Sequence, residues 1–180
     1  MQVRKSEPGD RPPPLPGVVR ITRQAAAGGQ IDSAIQIWFA SGDITSIHTL
    51  AVAAQGVLMA LSNDMGKPVS KVLDWINKQP KSFQSQLRNP QNFFKHGHHK
   101  QPYKDVASYI PNLAEMTLID NISTFQRLFD SLTPLMKVFA VRFSIKHPDI
   151  LPLKLKGFKI EDLARLTRSR FLKEVLPFCS

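Results

Sequence analysis

Apolar residues along this chain recur mostly at intervals of three and four, the spacing that places them on one side of an α-helix. The clearest run follows Asp43, whose carboxylate is suited to accept hydrogen bonds from the free amides of a first helical turn. Other apolar residues lie off its main stripe, so this segment is predicted to be a central, largely buried helix. The stripe consists of Ile47, Leu50, Ala51, Ala54, Val57, Leu58 and Leu61.

Turn and capping residues bound the helices on either side of this one. A first helix is predicted from about Ile31 to Ala40, because apolar residues recur there and Ser41-Gly42 follows. A third helix is predicted to begin at Pro68, since proline suits the first helical position, and to end before Pro80.

The next helical segment runs from Lys81 to Gly97 and carries the Asn89-Pro90 pair in its middle. Proline has no backbone donor, and its ring clashes with the preceding turn of a helix. The same residue is well suited to the first position after an asparagine cap. We therefore expect either a kink at Pro90 or a new helix, and the asparagine favours the new helix.

Three further helices are predicted in the C-terminal half. Asn112 with Glu115 three residues later resembles a capping box at the start of the first. Thr133-Pro134 is expected to cap and open the second, which ends at His147-Pro148. After a linker that contains proline, a last helix is predicted from about Ile160 to Leu176.

These patterns define the fold class. No segment alternates apolar and polar residues long enough to form a core strand, so the chain is predicted to be all-α, an irregular bundle of six or seven helices. Residues 1–21 contain five prolines and are predicted to be a disordered, basic, Pro-rich tail. Residues 22–180 are predicted to form a single helical domain, and a hydrophobic content of 42% supplies a core for it.

The charge balance indicates a class of partner. Lysine and arginine number 24 against 14 acidic residues, a formal net charge of +10. Such an excess favours RNA or another polyanion as the partner. The only cysteine, Cys179, permits no intrachain disulfide and is typical of a reducing compartment. No long uninterrupted apolar run is present, so no membrane is expected as a partner and the location predicted is cytoplasmic.

Candidate chemistry concentrates after position 81. In a continuous helix Arg88, Asn92 and His96 follow at intervals of four. A guanidinium binds phosphate, and an imidazole near neutrality takes the proton of a 2′-hydroxyl, so these groups suit metal-independent cleavage of RNA. The alternatives are an RNA contact without chemistry and a solvated basic helix end. The predicted catalytic residues are Arg88, His96 and Asn92; the predicted nucleic-acid-binding residues are Lys95, His99, Lys100, Arg165 and Arg168.

The stretch RNPQNFFKH resembles the signature of HEPN domains, small helical proteins of prokaryotic toxin and defence systems, in which a polar residue often follows an arginine and a histidine comes after. The preceding helix pair, with DITSIHTLAVAAQGVLMAL, is similar to the helix hairpin of that fold. The resemblance implies Arg88, Asn89 and His96 as catalytic positions, in a site built across a homodimer. Here seven residues separate Arg88 from His96, and Pro90 lies between them. SIHTLAVAA and NFFKHGHH are also similar to blocks of a bacterial family without an assigned function.

Two other interpretations involve histidine. His96, His98 and His99 are residues of a type that binds zinc, copper or nickel, yet no cysteine is near and Asp105 is the only close carboxylate. No metal and no other cofactor are therefore predicted. His48 lies on the central helix, where it would either be a hydrogen-bonded core residue or line a pocket with His96 for a small molecule or metal.

The functional hypothesis is an RNA-directed, HEPN-like protein, with metal-independent endoribonuclease activity left open. The second hypothesis is a non-catalytic helical module that binds nucleic acid or an acidic protein partner through its basic surface. The sequence contains no GxxxxGK[ST], no GxGxxG after a strand, no HExxH and no GxSxG. Nucleotide hydrolysis, dinucleotide chemistry and serine hydrolase chemistry are therefore not expected.

Overall fold

A computed structural model describes residues 17–68, 70–96, 109–110, 112–152 and 159–179. Within these ranges the fold consists of eight α-helices and one 3-10 helix, without a β-strand. The predicted all-α class is therefore confirmed. In chain order the α-helices are α1 (Arg23–Phe39), α2 (Ile44–Asp64), α3 (Lys71–Asn77), α4 (Lys81–His96), α5 (Asn112–Phe129), α6 (Pro134–Lys146), α7 (Ile160–Arg165) and α8 (Arg168–Val175), followed by a 3-10 helix at Leu176–Phe178.

The core lies between α1, α2, α5 and α6. The α1–α2 hairpin is the most extensive helix pair, α5 packs along α2, and α6 contacts both α1 and α5. α8 closes this core through Phe171, whose ring stacks on Phe39 with the centroids 6.3 Å apart. Trp38 meets Phe139 edge-on, with the centroids 5.1 Å apart. α3 and α4 lie outside this core, against α5 and α2 respectively.

α1 begins eight residues earlier than the sequence pattern predicted. Thr22 caps it, because its hydroxyl accepts a hydrogen bond from the amide of Ala25 at 3.1 Å. The buried face then continues through Ala27 and Gly28 into the apolar residues recognised from the sequence. A Cβ atom on Gly28 would lie 3.4 Å from the Phe125 ring, so glycine allows α1 and α5 to approach closely. The pair Gly28-Gly29 concealed this extension, since glycine weakens a helical pattern.

α2 is the predicted central helix. The Asp43 carboxylate accepts from the amide of Ser46 at 2.7 Å, which confirms the cap. By length and composition α2 would also be able to cross a membrane. The core helix of a folded domain has the same composition, and α2 packs here against α1, α4 and α5.

α4 differs from the prediction at Pro90. The expected new helix does not form, and one helix continues through the proline. Proline deprives the Gln86 carbonyl of its usual donor. Leu87 and Pro90 are both buried, however, and this burial offsets part of the cost. α3 begins at Lys71 rather than at Pro68, and Pro80 separates it from α4 as expected.

The C-terminal half confirms one cap and corrects two predictions. The Thr133 hydroxyl accepts from the amide of Met136 at 3.1 Å and so caps α6. Glu115 does not complete a capping box, because its carboxylate is bound by Trp38 and Lys146. The single last helix is divided in two, because Thr167 is extended and its hydroxyl accepts from the amide of Arg170, which starts α8. Most of the predicted N-terminal tail lies outside the described residues.

Candidate functional site

The three predicted catalytic positions lie on one uninterrupted helix, since α4 extends over all of them. Each step from Arg88 to Asn92 to His96 advances about 6 Å along the axis and turns about 40° around it, so they share one side of α4. Asn92 is exposed. The side chains of Arg88, Asn89, Lys95 and His96 lie outside the described residues, as do His98, His99 and Lys100 as a whole.

The formal charges in the stretch of sequence that contains α4 are all positive. Residues 75–104 contain six lysines and arginines, three histidines and no acidic residue. Of the described cations here, Lys78 pairs with Asp74 at 2.7 Å, whereas Lys81 is exposed. The Gln84 amide donates to the carbonyls of Asn77 and Gln79, so it holds the turn before α4. α4 therefore contains cationic residues and no acidic residue of its own.

A groove lies between the last turns of α4 and the first turns of α2. Its volume is about 560 Å³. Phe93 and Phe94 line one side, with ring centroids 6.0 Å apart, and both rings are partly exposed. The opposite side consists of hydroxyl-bearing and aliphatic residues. The α4 groove is lined by Ile37, Thr45, Ser46, Thr49, Leu50, Phe93 and Phe94.

One carboxylate lies beside the α4 groove. Asp43 is exposed, and its Oδ2 accepts from the Thr45 hydroxyl at 2.5 Å and from the Ser46 amide at 2.7 Å. These hydrogen bonds, that from Thr45 first, lower the pKa of Asp43 to about 2. The α2 side of the groove therefore carries a permanent negative charge at neutral pH, while the α4 side carries none.

His48 lies behind the groove and not within it. Its ring is completely buried, with edge contacts to Tyr109 at 5.0 Å and to Phe94 at 6.0 Å between centroids. Phe94 lines the groove on one side and contacts His48 as well. His48 is therefore part of the aromatic packing that fixes α4 on α2. The predicted pocket shared with His96 involves a side chain outside the described residues.

The predicted C-terminal cations have different surroundings. The Arg168 guanidinium lies 4.0 Å over the Trp38 ring and donates to the Trp38 carbonyl at 3.2 Å. Arg165 is exposed at the end of α7. The exposed Arg170 pairs with Glu174 at 2.8 Å. Arg168 therefore holds α8 against α1, and of the predicted nucleic-acid-binding residues in this half only Arg165 has a guanidinium directed to solvent without a described partner.

A buried acid, missed by the sequence analysis, organises these contacts. Glu115 is 6% exposed, accepts from the Trp38 indole at 3.2 Å, and binds the Lys146 ammonium at 2.8 Å. The Arg168 guanidinium lies 3.6 Å away. A signal was present, because Glu115 shares a helix face with apolar Ile119 and Ile122. A carboxylate on such a buried face is stable only when it is paired with a cation or a hydrogen-bond donor. The spacing of Asn112 and Glu115 was interpreted as a capping box, and the buried pairing of Glu115 was therefore not predicted.

Among the described residues, no group of three or more histidine, cysteine, aspartate and glutamate side chains is placed to hold an ion. The side chain of His96 and the whole of His98 and His99 lie outside the described residues.

The protein is all-α. Its candidate site combines a helix that contains cationic but no acidic residues with a groove lined by two phenylalanine rings. Comparison with known protein families, with curated proteins and with solved structures gave no significant match.

Proposed function

We propose that this protein binds single-stranded RNA along α4, with unpaired bases in the α4 groove. One observation carries the proposal. Two partly exposed phenylalanine rings line the groove, and they belong to a stretch, residues 75–104, that contains no acidic residue. Proteins that bind single strands combine a cationic track for the phosphates with aromatic rings on which bases stack. The hydroxyls of Thr45, Ser46 and Thr49 offer hydrogen bonds to base edges on the other side.

The charge distribution sets the orientation of the strand. Asp43 repels phosphates from the α2 side, so the backbone is expected to follow α4 and the bases to point toward α2. A double helix does not expose its bases in this way, so we expect a preference for unpaired RNA.

Cleavage is the further part of the proposal, and it rests on the HEPN resemblance. Arg88 would hold the phosphate, His96 would take the proton of the 2′-hydroxyl, and Asn92 would position the strand. His96 lies eight positions after Arg88, which corresponds to about 12 Å along one helix. A homodimer in which two α4 helices pair antiparallel would shorten the distance between Arg88 of one copy and His96 of the other.

Binding is tested with a labelled, unstructured RNA and the full chain by fluorescence anisotropy at several salt concentrations. Phe93→Ala is expected to weaken binding about tenfold, the effect of losing one stacked base. Arg170→Ala serves as the control, since it removes an exposed cation far along the chain and already paired with Glu174. Equal losses in both variants, or equal affinity for single-stranded and duplex RNA, would contradict the proposed site.

Cleavage is tested by incubating the same RNA with protein and a chelator. The wild type is expected to give products ending in a 2′,3′-cyclic phosphate, which is the mark of attack by the 2′-hydroxyl, and His96→Ala none. Intact RNA with the wild type would exclude the catalytic part and leave the binding part to the anisotropy measurement. Absence of RNA binding at low salt would instead favour the module that binds an acidic protein.

A further inference from the structure

A second cavity lies on the outer face of α5, and it shares no residue with the α4 groove. Five of its lining residues follow one another along a single face of α5, and the turn after α6 forms the opposite wall. Its volume is about 170 Å³. It is lined by Met116, Ile119, Asp120, Ser123, Arg127, Ile150 and Leu151.

Arg127 is the unusual member of this lining. Its Nη2 donates to the Thr124 hydroxyl at 3.0 Å, whereas its Nε is buried and has no acceptor among the described residues. It also forms no ion pair with any acid in the described part of the chain. A buried N–H without an acceptor is costly, and the cost is greater for a charged group. A guanidinium that is not paired with an acid is suited to bind a carboxylate.

The remaining walls select the kind of anion. Met116, Ile119, Ile150 and Leu151 are apolar, which disfavours a hydrated inorganic ion and favours an apolar body. A cavity of about 150 Å³ lined by aliphatic and aromatic side chains is known to hold a benzene ring, so this cavity is large enough for a ligand of that size.

Asp120 fixes which way such a ligand lies. It is bound by the Ser70 hydroxyl and lies seven residues before Arg127, about 10 Å along the α5 axis. The ligand's negative group is repelled from the Asp120 end and attracted to the Arg127 end. Ser123, between the two, already donates to the Ile119 carbonyl at 2.9 Å, so its oxygen is left as an acceptor.

We propose that this cavity binds a small monocarboxylate with an apolar body of about benzene size, and that Arg127 is its carboxylate-binding residue. Ile150 and Leu151 belong to the turn that follows α6, so the bound ligand would fix this turn against α5. The proposal is independent of RNA binding, because neither depends on a residue of the other.

The test is isothermal titration calorimetry of the full chain with benzoate, and with benzamide as the neutral analogue of the same shape. Benzoate is expected to bind, and benzamide at least about tenfold more weakly, because it lacks the charge that pairs with a guanidinium. Arg127→Met keeps the length of the side chain without its charge and should weaken benzoate binding at least about tenfold. Arg170→Met, at an exposed cation elsewhere, should leave it unchanged.

A second variant guards against a folding defect in Arg127→Met. Ile150→Trp alters an exposed wall residue and should block the cavity with a larger ring while leaving the helical circular dichroism unchanged. Loss of benzoate binding in this variant would support the proposal. Equal binding of benzoate and benzamide, unchanged binding in either cavity variant, or no binding of benzoate to the folded wild type would each overturn it.

Discussion

The two basic regions of this molecule use their charges differently. In the C-terminal region Arg168 lies over Trp38 beside the buried Glu115, and Arg142 donates to the carbonyls of Leu163 and Leu166 at 2.9 and 3.0 Å. Burial, with the nearby Arg168, lowers the pKa of Arg142. In residues 75–104, which contain α4, no residue is acidic.

Cationic residues therefore have different roles in the two regions. A cation that completes a helix end or covers an indole ring contributes to stability, and its field is largely cancelled where an acid is close. A cation on a stretch without acids contributes to the attraction of a distant anion instead. Net charge alone indicates a polyanion partner, but only the placement of the acids indicates which surface attracts it.

The largest expected effect is on the C-terminal region. Glu115→Leu removes the acceptor of the Trp38 indole and leaves Lys146 and Arg168 without their carboxylate. We expect the free energy of unfolding to fall by about 3 kcal/mol. This is the lower end of the range for breaking a buried ion pair, because both cations are partly exposed to water. Urea unfolding followed by circular dichroism measures it. Glu115→Gln keeps an acceptor for Trp38 and should cost less; an equal loss in the two variants would show that Glu115 contributes its charge and not the hydrogen bond that it accepts from Trp38.

The next effect separates stability from binding. Arg168→Met removes the guanidinium over Trp38 and its bond to the Trp38 carbonyl, which should lower the free energy of unfolding by about 1–2 kcal/mol. RNA affinity should not change, because this charge is already engaged by Glu115. Arg170→Met, whose surface pair is worth less than about 1 kcal/mol, is the matched control. A large loss of RNA affinity in Arg168→Met would place the binding surface on α8 and contradict the proposed difference between the two basic regions.

The converse change concerns α4. Replacing both Arg88 and Lys95 by alanine should make the slope of log affinity against log salt shallower by about 1.4, since each phosphate contact with a single strand contributes about 0.7. Unfolding in urea should be nearly unaffected. The matched pair Arg170→Ala with Lys173→Ala removes the same charge from α8 and should leave the slope unchanged. If both pairs lower it equally, attraction is a property of the whole surface and not of α4.

The sequence predicted the fold class and most helix boundaries, because these follow from apolar spacing and local caps such as Asp43 and Thr133. It failed where a distant contact outweighs a local rule. Pro90 should interrupt a helix, yet burial beside Leu87 keeps α4 continuous. Glu115 fits a capping box, yet Trp38 and Lys146 bind it. The sequence also contained no sign that Arg168, which was predicted to bind nucleic acid, contacts Trp38, 130 residues away in sequence.

The smallest expected effect concerns Asp43, the acid beside the α4 groove. Hydrogen bonds from Thr45 and Ser46 lower its pKa to about 2 from an ordinary 3.8. A carboxyl group with a lowered folded-state pKa stabilises the fold fully above its unfolded pKa and loses that contribution as the pH falls through the folded value. Melting curves recorded between pH 4 and pH 2 should therefore show a larger drop for the wild type than for Asp43→Asn, which still caps α2 but cannot titrate. At neutral pH the same variant should bind RNA slightly more tightly, since a repelling charge is gone. Parallel melting curves would show that the cap does not depend on charge, and unchanged RNA affinity would mean that the strand does not pass the α2 side of the groove.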